Sequence, residues 1–351
     1  MSGMRRASNL KVWTALLVAA VCAAMVVALG ARSAEAAFPG SNGSLAYDLS
    51  SSTQAAQVYR MSTDGFGKTK LSDTVGANSQ PDWSSNGKKV AFTNSNAGNS
   101  EIYWMGAWGS AEVNLTRDPA NDREPSFFPD YHKIAFSSNR GGNWDIWVTT
   151  VDNQGVPVPM GTFRVGGADT PNIESQPSVS PDGNYIAFVS EDPSTRDKNI
   201  AVVTSPFSSP TKPPPLGTLC MSKASEEFPE WAPDGKNIFF ASNRSGNYDI
   251  FRHTTVPPPP PSPSSPPPPP IDCSTDDPAQ NLTAGSSVKD IMPALSPDGT
   301  KIAFSSQRGG GKTTYNIYRM RNNSCSSSCT QTAITTSTTN SFLNPSWQPD
   351  P

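Results

Sequence analysis

Histidine is nearly missing from this chain: its 351 residues include two, His132 and His253. A histidine-rich metal centre is excluded. Neither residue has neighbours that suggest a triad or a ligand set, so both read as surface residues. No Gly-x-Ser-x-Gly elbow occurs, which removes the nucleophile turn of a serine hydrolase. Charged residues make up 16% and hydrophobic residues 35%. Beyond residue 31 no apolar run is long enough to cross a bilayer. The 35 prolines and 26 glycines break any long helical pattern and argue against an all-α fold.

The one long apolar run, residues 12–31, follows Arg5, Arg6 and Lys11 and precedes Ala34-Glu35-Ala36. A basic start, an apolar middle and small residues at an A-x-A site read as a signal peptide over 1–36, cleaved after Ala36 or one residue later. An uncleaved anchor is the alternative, because about twenty apolar residues also span a bilayer. Cleavage removes four basic side chains (Arg5, Arg6, Lys11, Arg32) and one acid (Glu35) from totals of 27 and 30, leaving a net charge of −6. That balance speaks against nucleic acid or anionic lipid as a partner. The expected product is exported (periplasmic, cell-surface or extracellular), a monomer, and without a membrane span.

Four cysteines then remain: Cys220, Cys273, Cys325 and Cys329. An even number in an exported chain suggests disulfides. Of the three pairings, Cys325–Cys329 with Cys220–Cys273 is favoured, with free thiols as the alternative. The spacing does not suit zinc, and no motif calls for a cofactor.

A repeat organises the rest. Anchors of the form Pro-x-(apolar)-x-Pro-Asp-Gly begin at Pro81 (PDWSSNG), Pro125 (PSFFPDY), Pro177 (PSVSPDG), Pro229 (PEWAPDG), Pro293 (PALSPDG) and Pro345 (PSWQPDP). They are spaced 44, 52, 52, 64 and 52 residues apart. Each of the first five is followed by a short β-branched and aromatic run: KVAFTN, KIAFSS, YIAFVS, NIFFAS, KIAFSS. These runs lack polar alternation, which implies burial on both faces. A third run follows (EIYWM, DIWVT, NIAVV, DIFRH, NIYRM), then a weaker fourth (VNLT, LGTL, QNLT, TAIT). Four short strands per period are one blade of a β-propeller. In Ser-Pro-Asp-Gly, Pro presets the first turn residue and Gly takes the positive φ that closes the hairpin. Asn-Arg-Gly-Gly-Asn and Asn-Arg-Ser-Gly-Asn form the hairpin loops after the second strands, tied by Asp145 and Asp249.

The last anchor has no strands after it, and SLAYDLS with QVYRMSTDGFGKTKLSD has no anchor before it. Each end supplies what the other lacks. The expectation is an all-β, six-bladed propeller of four-stranded antiparallel blades over 37–351, its C-terminal strand pairing with the three N-terminal strands. Blades are numbered 1 to 6 by their anchors. The tract VPPPPPSPSSPPPPPI (256–271) is then an insertion in blade 4, extended and outside the sheet.

WAPDGKNIFFASNRSGNYDIF and FPDYHKIAFSSNRGGNWDIW resemble the WD-like repeat of TolB-type propellers. The resemblance runs from about residue 40 to 351. It implies the propeller fold. TolB also carries an α/β domain before its propeller, and prolyl-oligopeptidase-type peptidases place a hydrolase domain after similar repeats; neither is expected here. Lyases of six-bladed form need several histidines, which this chain does not supply. The chain is therefore expected to be no enzyme but a platform for a protein or peptide partner, with a glycan or small ligand as the alternative. The loops before the anchors ring one mouth of the channel, and the loops carrying Arg140, Arg244 and Arg308 join the same face. Candidate rim residues are Gln80, Arg123, Glu124, Arg140, Gln176, Glu227, Phe228, Arg244, Met292 and Arg308.

Overall fold

The computed structural model describes residues 41–96, 98–152, 156–168, 170–207, 217–218, 224–255, 279–309, 313–322 and 329–350. Residues 1–40, which include the expected signal peptide, and Cys220, Cys273, Cys325 and the proline tract lie outside the described residues.

Six four-stranded antiparallel sheets form the described chain. Their inner strands are Ala77–Trp83, Asp122–Phe127, Ile173–Val179, Glu226–Trp231, Asp290–Leu295 and Asn340–Asp350, in blades 1 to 6. Each carries the anchor proline. The second strands are Lys89–Asn96, Lys133–Ser138, Tyr185–Glu191, Asn237–Ser242, Lys301–Ser306 and, in blade 6, Ser41–Ser51.

The Ile-Ala-Phe pattern of these second strands explains how blades stack. Side chains alternate across a strand. In blade 5, Ile302 and Phe304 pack with Phe239, Ala241 and Ile250 of blade 4. Ala303, between them, faces blade 6 and meets Leu45, Tyr47 and Trp347. Blade 1 repeats the scheme: Val90 and Phe92 face Ala46 and Val58 of blade 6, while Ala91 faces Phe127, Ile134 and Phe136 of blade 2. Large side chains on one face and alanine on the other let each blade nest into the next. Six apolar slabs result, one in each space between neighbouring blades.

The clasp joins the two ends of the chain. Ser41–Ser51 pairs antiparallel with Asn340–Asp350, with Leu45 opposite Trp347 and Ala46 opposite Ser346. Strands Gln54–Met61 and Thr69–Lys70 complete blade 6.

The anchor turns follow their residues. In blade 3 the Ser180 hydroxyl donates to Asp182 Oδ1 (2.7 Å), which also accepts from the Asn184 N–H (3.0 Å). Gly183 closes the turn at φ 70°. Tyr131 stands at the equivalent position of blade 2 and takes φ 50°, a conformation uncommon for a bulky residue.

Two features depart from the sequence reading. Blade 2 has an eight-residue outer strand, Pro157–Arg164, where no fourth run is evident in the sequence. His253, expected at the surface, is 3% exposed. It lies opposite Ile238 in the third strand of blade 4, and burial, with the Arg244 charge, pushes its imidazole down to about 4. Cys329 is disulfide-bonded.

Candidate functional site: the central cavity

Each inner strand is interrupted at its anchor. The residue before the proline adopts positive φ in all six blades: Gln80 (56°), Glu124 (60°), Gln176 (56°), Phe228 (57°), Met292 (56°) and Asn344 (48°). None is glycine, so each costs on the order of 1 kcal/mol or more of backbone strain. In blades 1 to 5 the ladder skips at this point, as between Ser79 and Asp82, which marks a bulge.

The strain is offset by hydrogen bonds that run from blade to blade. The Gln80 N–H donates to Asp48 Oδ1 of blade 6 (3.0 Å), and the Glu124 N–H to Thr93 Oγ1 of blade 1 (3.0 Å). The Gln176 N–H donates to Glu124 Oε2 (2.8 Å), and the Phe228 N–H to Gln176 Oε1 (2.6 Å). The Asn344 N–H reaches Met292 Sδ (3.4 Å). Five of the six positions are thus fixed by a side chain of the preceding blade.

A second ring lies at the residue after the proline: Asp82, Ser126, Ser178, Glu230, Ala294 and Ser346. Here too the bonds cross between blades. Phe127 N–H donates to Asp82 Oδ2 (2.8 Å), Val179 N–H to Ser126 Oγ (3.1 Å) and Trp231 N–H to Ser178 Oγ (3.2 Å). Together the two rings and the prolines enclose a central cavity of about 140 Å³.

The cavity is acidic. Asp82, Glu124 and Glu230 line it, and no lysine or arginine does. Burial pushes the Asp82 carboxyl up to about 7. Burial, reinforced by the Asp82 charge, pushes Glu230 up to about 8. Blades 1 and 4 stand opposite one another in a ring of six, so these two carboxyls face the same space from opposite walls. Among the described residues no group of three or more His, Cys, Asp or Glu side chains is arranged to hold a metal ion.

Five of the ten candidate rim residues, Gln80, Glu124, Gln176, Phe228 and Met292, line this cavity. Arg123 lies over the Trp144 ring (3.9 Å), with its Nε 3.6 Å from Glu124. Glu227 accepts from the Tyr248 hydroxyl (2.5 Å) and pairs with Lys198 (3.2 Å). Arg140, Arg244 and Arg308 do not line the cavity. Each bends onto its own blade and bonds a fully buried acid at the start of the inner strand: Asp122 (2.6 Å), Glu226 (3.0 Å) and Asp290 (2.6 Å). Asp82 and Glu230 are absent from the sequence-derived rim, yet a signal exists. Aligned on the proline, the anchors read P-D-W, P-S-F, P-S-V, P-E-W, P-A-L and P-S-W, and only two place an acid there.

Residues 37–209 match the family model of the TolB beta propeller domain. No match to the sequence was found among the curated proteins. Among solved structures, TolB from Acinetobacter baumannii superposes with a TM-score of 0.61 at 18% identity, covering 88% of this chain and 67% of that one. A putative TolB from Agrobacterium tumefaciens gives 0.58 at 17% identity, covering 88% and 94%. Hydrazine synthase from Kuenenia stuttgartiensis gives 0.63 at 13% identity, with 88% of this chain covering 47% of that one. At these identities the structures share the fold alone. Residues 37–209 take in three strands of blade 6, all of blades 1 and 2 and three strands of blade 3, and the same anchor, strand order and interblade packing continue through the rest of the ring: the fold is that of a TolB-type β-propeller.

Proposed function

We propose that the protein is an exported, non-catalytic and monomeric propeller that holds a protein or peptide partner, in the cell envelope or outside the cell, at the mouth of its central cavity. The observation that carries this reading is the cavity itself: a small acidic recess in a ring of interblade hydrogen bonds. Its volume of about 140 Å³ takes a side chain or two. A pocket that encloses a drug-sized ligand runs about 300–1,000 Å³. The three lining hydroxyls that could attack a substrate belong to Ser126, Ser178 and Ser346, and all three accept backbone N–H bonds from the next blade. No histidine lines the cavity. A basic side chain of a peptide would find acidic groups and no competing cation there, and its charge would favour the ionised forms of Asp82 and Glu230.

The test is selection of binders from a displayed peptide library, followed by anisotropy titration. Glu230→Gln is expected to weaken the selected basic peptides, and Arg123→Glu, which replaces a cation beside Glu124 by an acid, to tighten them. Peptide affinity indifferent to both changes overturns the reading. A glycan is the second reading, favoured by the opposed Asp82 and Glu230 carboxyls, since paired acids also serve sugar chemistry. Turnover of a glycan panel that Glu230→Gln abolishes would replace the platform with a hydrolase.

A further inference from the structure

The hydrogen bonds around the central cavity form a circle, and that circle has one gap. It can be followed from blade to blade at the positive-φ positions. The Asn344 N–H meets Met292 Sδ, and the Asn344 side-chain amide donates to Asp48 Oδ1 (2.6 Å), which also accepts from the Gln80 N–H. Gln80 Oε1 accepts from the Thr93 hydroxyl (2.8 Å), and Thr93 Oγ1 accepts from the Glu124 N–H. Glu124 then takes the Gln176 N–H, and Gln176 the Phe228 N–H. At five junctions the side chain at the positive-φ position, alone or through Asp48 or Thr93, holds the backbone of the next blade. At the sixth, from blade 4 to blade 5, that side chain is Phe228, which has no acceptor to offer. Among the described residues no side chain accepts from the Met292 N–H.

Met292 has the conformation of its counterparts, φ 56°, and the ladder skips beside it in the same way, between Ile291 and Ala294. Its N–H therefore points where theirs do, toward the cavity-lining residue of the preceding blade. The missing acceptor belongs where the Gln176 side-chain oxygen stands one junction earlier, at the cavity wall.

The second ring opens at the same junction. Asp82, Ser126, Ser178 and Ser346 each accept a backbone N–H from the next blade. Glu230 does not: its carboxyl takes the Ser178 hydroxyl of blade 3 (3.4 Å), and among the described residues no side chain accepts from the Leu295 N–H. This ring opens once more after Ala294, whose methyl group accepts nothing, but only between blades 4 and 5 are both open. One wall of the cavity thus joins an apolar ring (Phe228), a carboxyl group (Glu230) and a backbone donor without a side-chain acceptor (Met292). A water at that donor would lie between Phe228 and Met292, with few polar partners. A peptide segment brings a carbonyl acceptor and an apolar stem together.

Resting on the reading of the cavity as a peptide-binding recess, we propose that the partner's main chain docks at the junction of blades 4 and 5: a peptide carbonyl accepts from the Met292 N–H beside Phe228, and the adjoining basic side chain reaches Glu230. The partner closes the circle that the fold leaves open. Phe228 is then a specificity-determining residue, since an acceptor in its place would satisfy the Met292 N–H from within.

Two measurements test this, with a basic peptide selected on the wild-type protein as the probe. Phe228→Gln gives blade 4 the residue type that blade 3 uses, so the fold supplies its own acceptor, whereas Phe228→Leu removes the ring and supplies none. Affinity read by anisotropy is expected to be about fivefold weaker in Phe228→Gln than in Phe228→Leu, the worth of one hydrogen bond. In an ester scan of the peptide, which weakens one carbonyl at a time as an acceptor, one position is expected to lower affinity for wild type and Phe228→Leu and to leave Phe228→Gln indifferent. The scan on wild type decides even where Phe228→Gln does not fold. Equal affinities of the two variants overturn the proposal, as does a scan without effect at any position. Either result beside a peptide that Glu230→Gln still weakens removes this contact alone. A peptide indifferent to Glu230→Gln, or a selection that yields no binder, removes the reading of the cavity and this contact with it.

Discussion

Glu174 is the second residue of the inner strand of blade 3 and is fully buried. Its carboxyl accepts from the Thr170 hydroxyl and lies near Asp145 of blade 2. Burial, and after it the negative charge of Asp145, holds it up at about 8. An unfolded glutamate titrates near about 4.3. The folded protein therefore retains a proton that the unfolded chain releases between those two values. Across that window the unfolded state binds fewer protons, so stability falls as pH rises, and the penalty is complete above about 8. Glutamine resembles the protonated form. Glu174→Gln is expected to melt with wild type near the lower limit and above it at pH 8–9, as read by thermal unfolding across pH. Parallel melting curves over the whole range would show that Glu174 is not protonated in the fold. The arginines of the hairpin loops follow related logic. Their partners Asp122, Glu226 and Asp290 are carboxylates without solvent contact, and an acid buried alone is costly. In the sequence an Asn-Arg-x-Gly-Asn loop looks like exposed recognition chemistry, because a loop arginine and an acid 18 residues earlier show no sign of contact. Only the pairing of the second strand against the inner strand brings Arg140 to Asp122.

At the scale of elements, the anchor turn separates two demands on glycine. Gly235 and Gly87 both take positive φ, at 64° and 65°. A Cβ on Gly235 would meet nothing within 4 Å, whereas one on Gly87 would stand 2.0 Å from the Pro349 carbonyl of the clasp. Gly235→Ala is therefore expected to cost about 1 kcal/mol, the conformational term alone. Gly87→Ala is expected to cost distinctly more, because backbone of blade 6 has to move. Urea denaturation of the two variants checks this, and equal losses would refute the close approach. The same elements show what a one-dimensional pattern can carry. Turn, second strand and third strand were readable because each depends on a contiguous run with a fixed period. The Ile-Ala-Phe order even encodes which face meets a large neighbour. The outer strand of blade 2 was not readable: Pro157–Arg164 begins with a proline and pairs only after its chain has crossed a loop. The burial of His253 was hidden too, since the side of a strand that becomes core is decided by the neighbouring blade. The six positive-φ residues before the prolines left no trace, because sequence preference before proline favours extended backbone. The stabilising bonds of five of them come from the preceding blade.

The whole molecule is a ring with one seam. Five blades are each folded from a continuous stretch of chain, and blade 6 is assembled from both ends. Each apolar slab belongs to two blades, so loss of any blade opens two slabs, which favours unfolding as a unit. The seam differs in one respect: the strand Asn340–Asp350 can leave without moving any other covalently continuous blade. It is held by Trp347, which is buried and whose Nε1–H donates to the Ala294 carbonyl of blade 5 (3.0 Å). Phe188 offers a comparison, since it is equally buried, in the slab between blades 2 and 3. Truncating either aromatic to alanine is expected to cost about 3–5 kcal/mol. The consequences should separate by position. Phe188→Ala weakens a blade whose strands are joined by hairpins, so amide exchange of its core still requires opening of the whole ring. Trp347→Ala weakens the one strand that can detach. Amides of 340–350 and of their partner 41–51 are then expected to exchange faster than the other blades, through a local opening. Hydrogen exchange read by mass spectrometry on both variants distinguishes the two cases. Uniform protection in Trp347→Ala would mean that the clasp opens only with the rest of the ring. Selective exchange would mark it as the weakest closure of the fold, and the exposed edge of Ser41–Ser51 as the place where such a propeller begins to unfold or to pair with another chain.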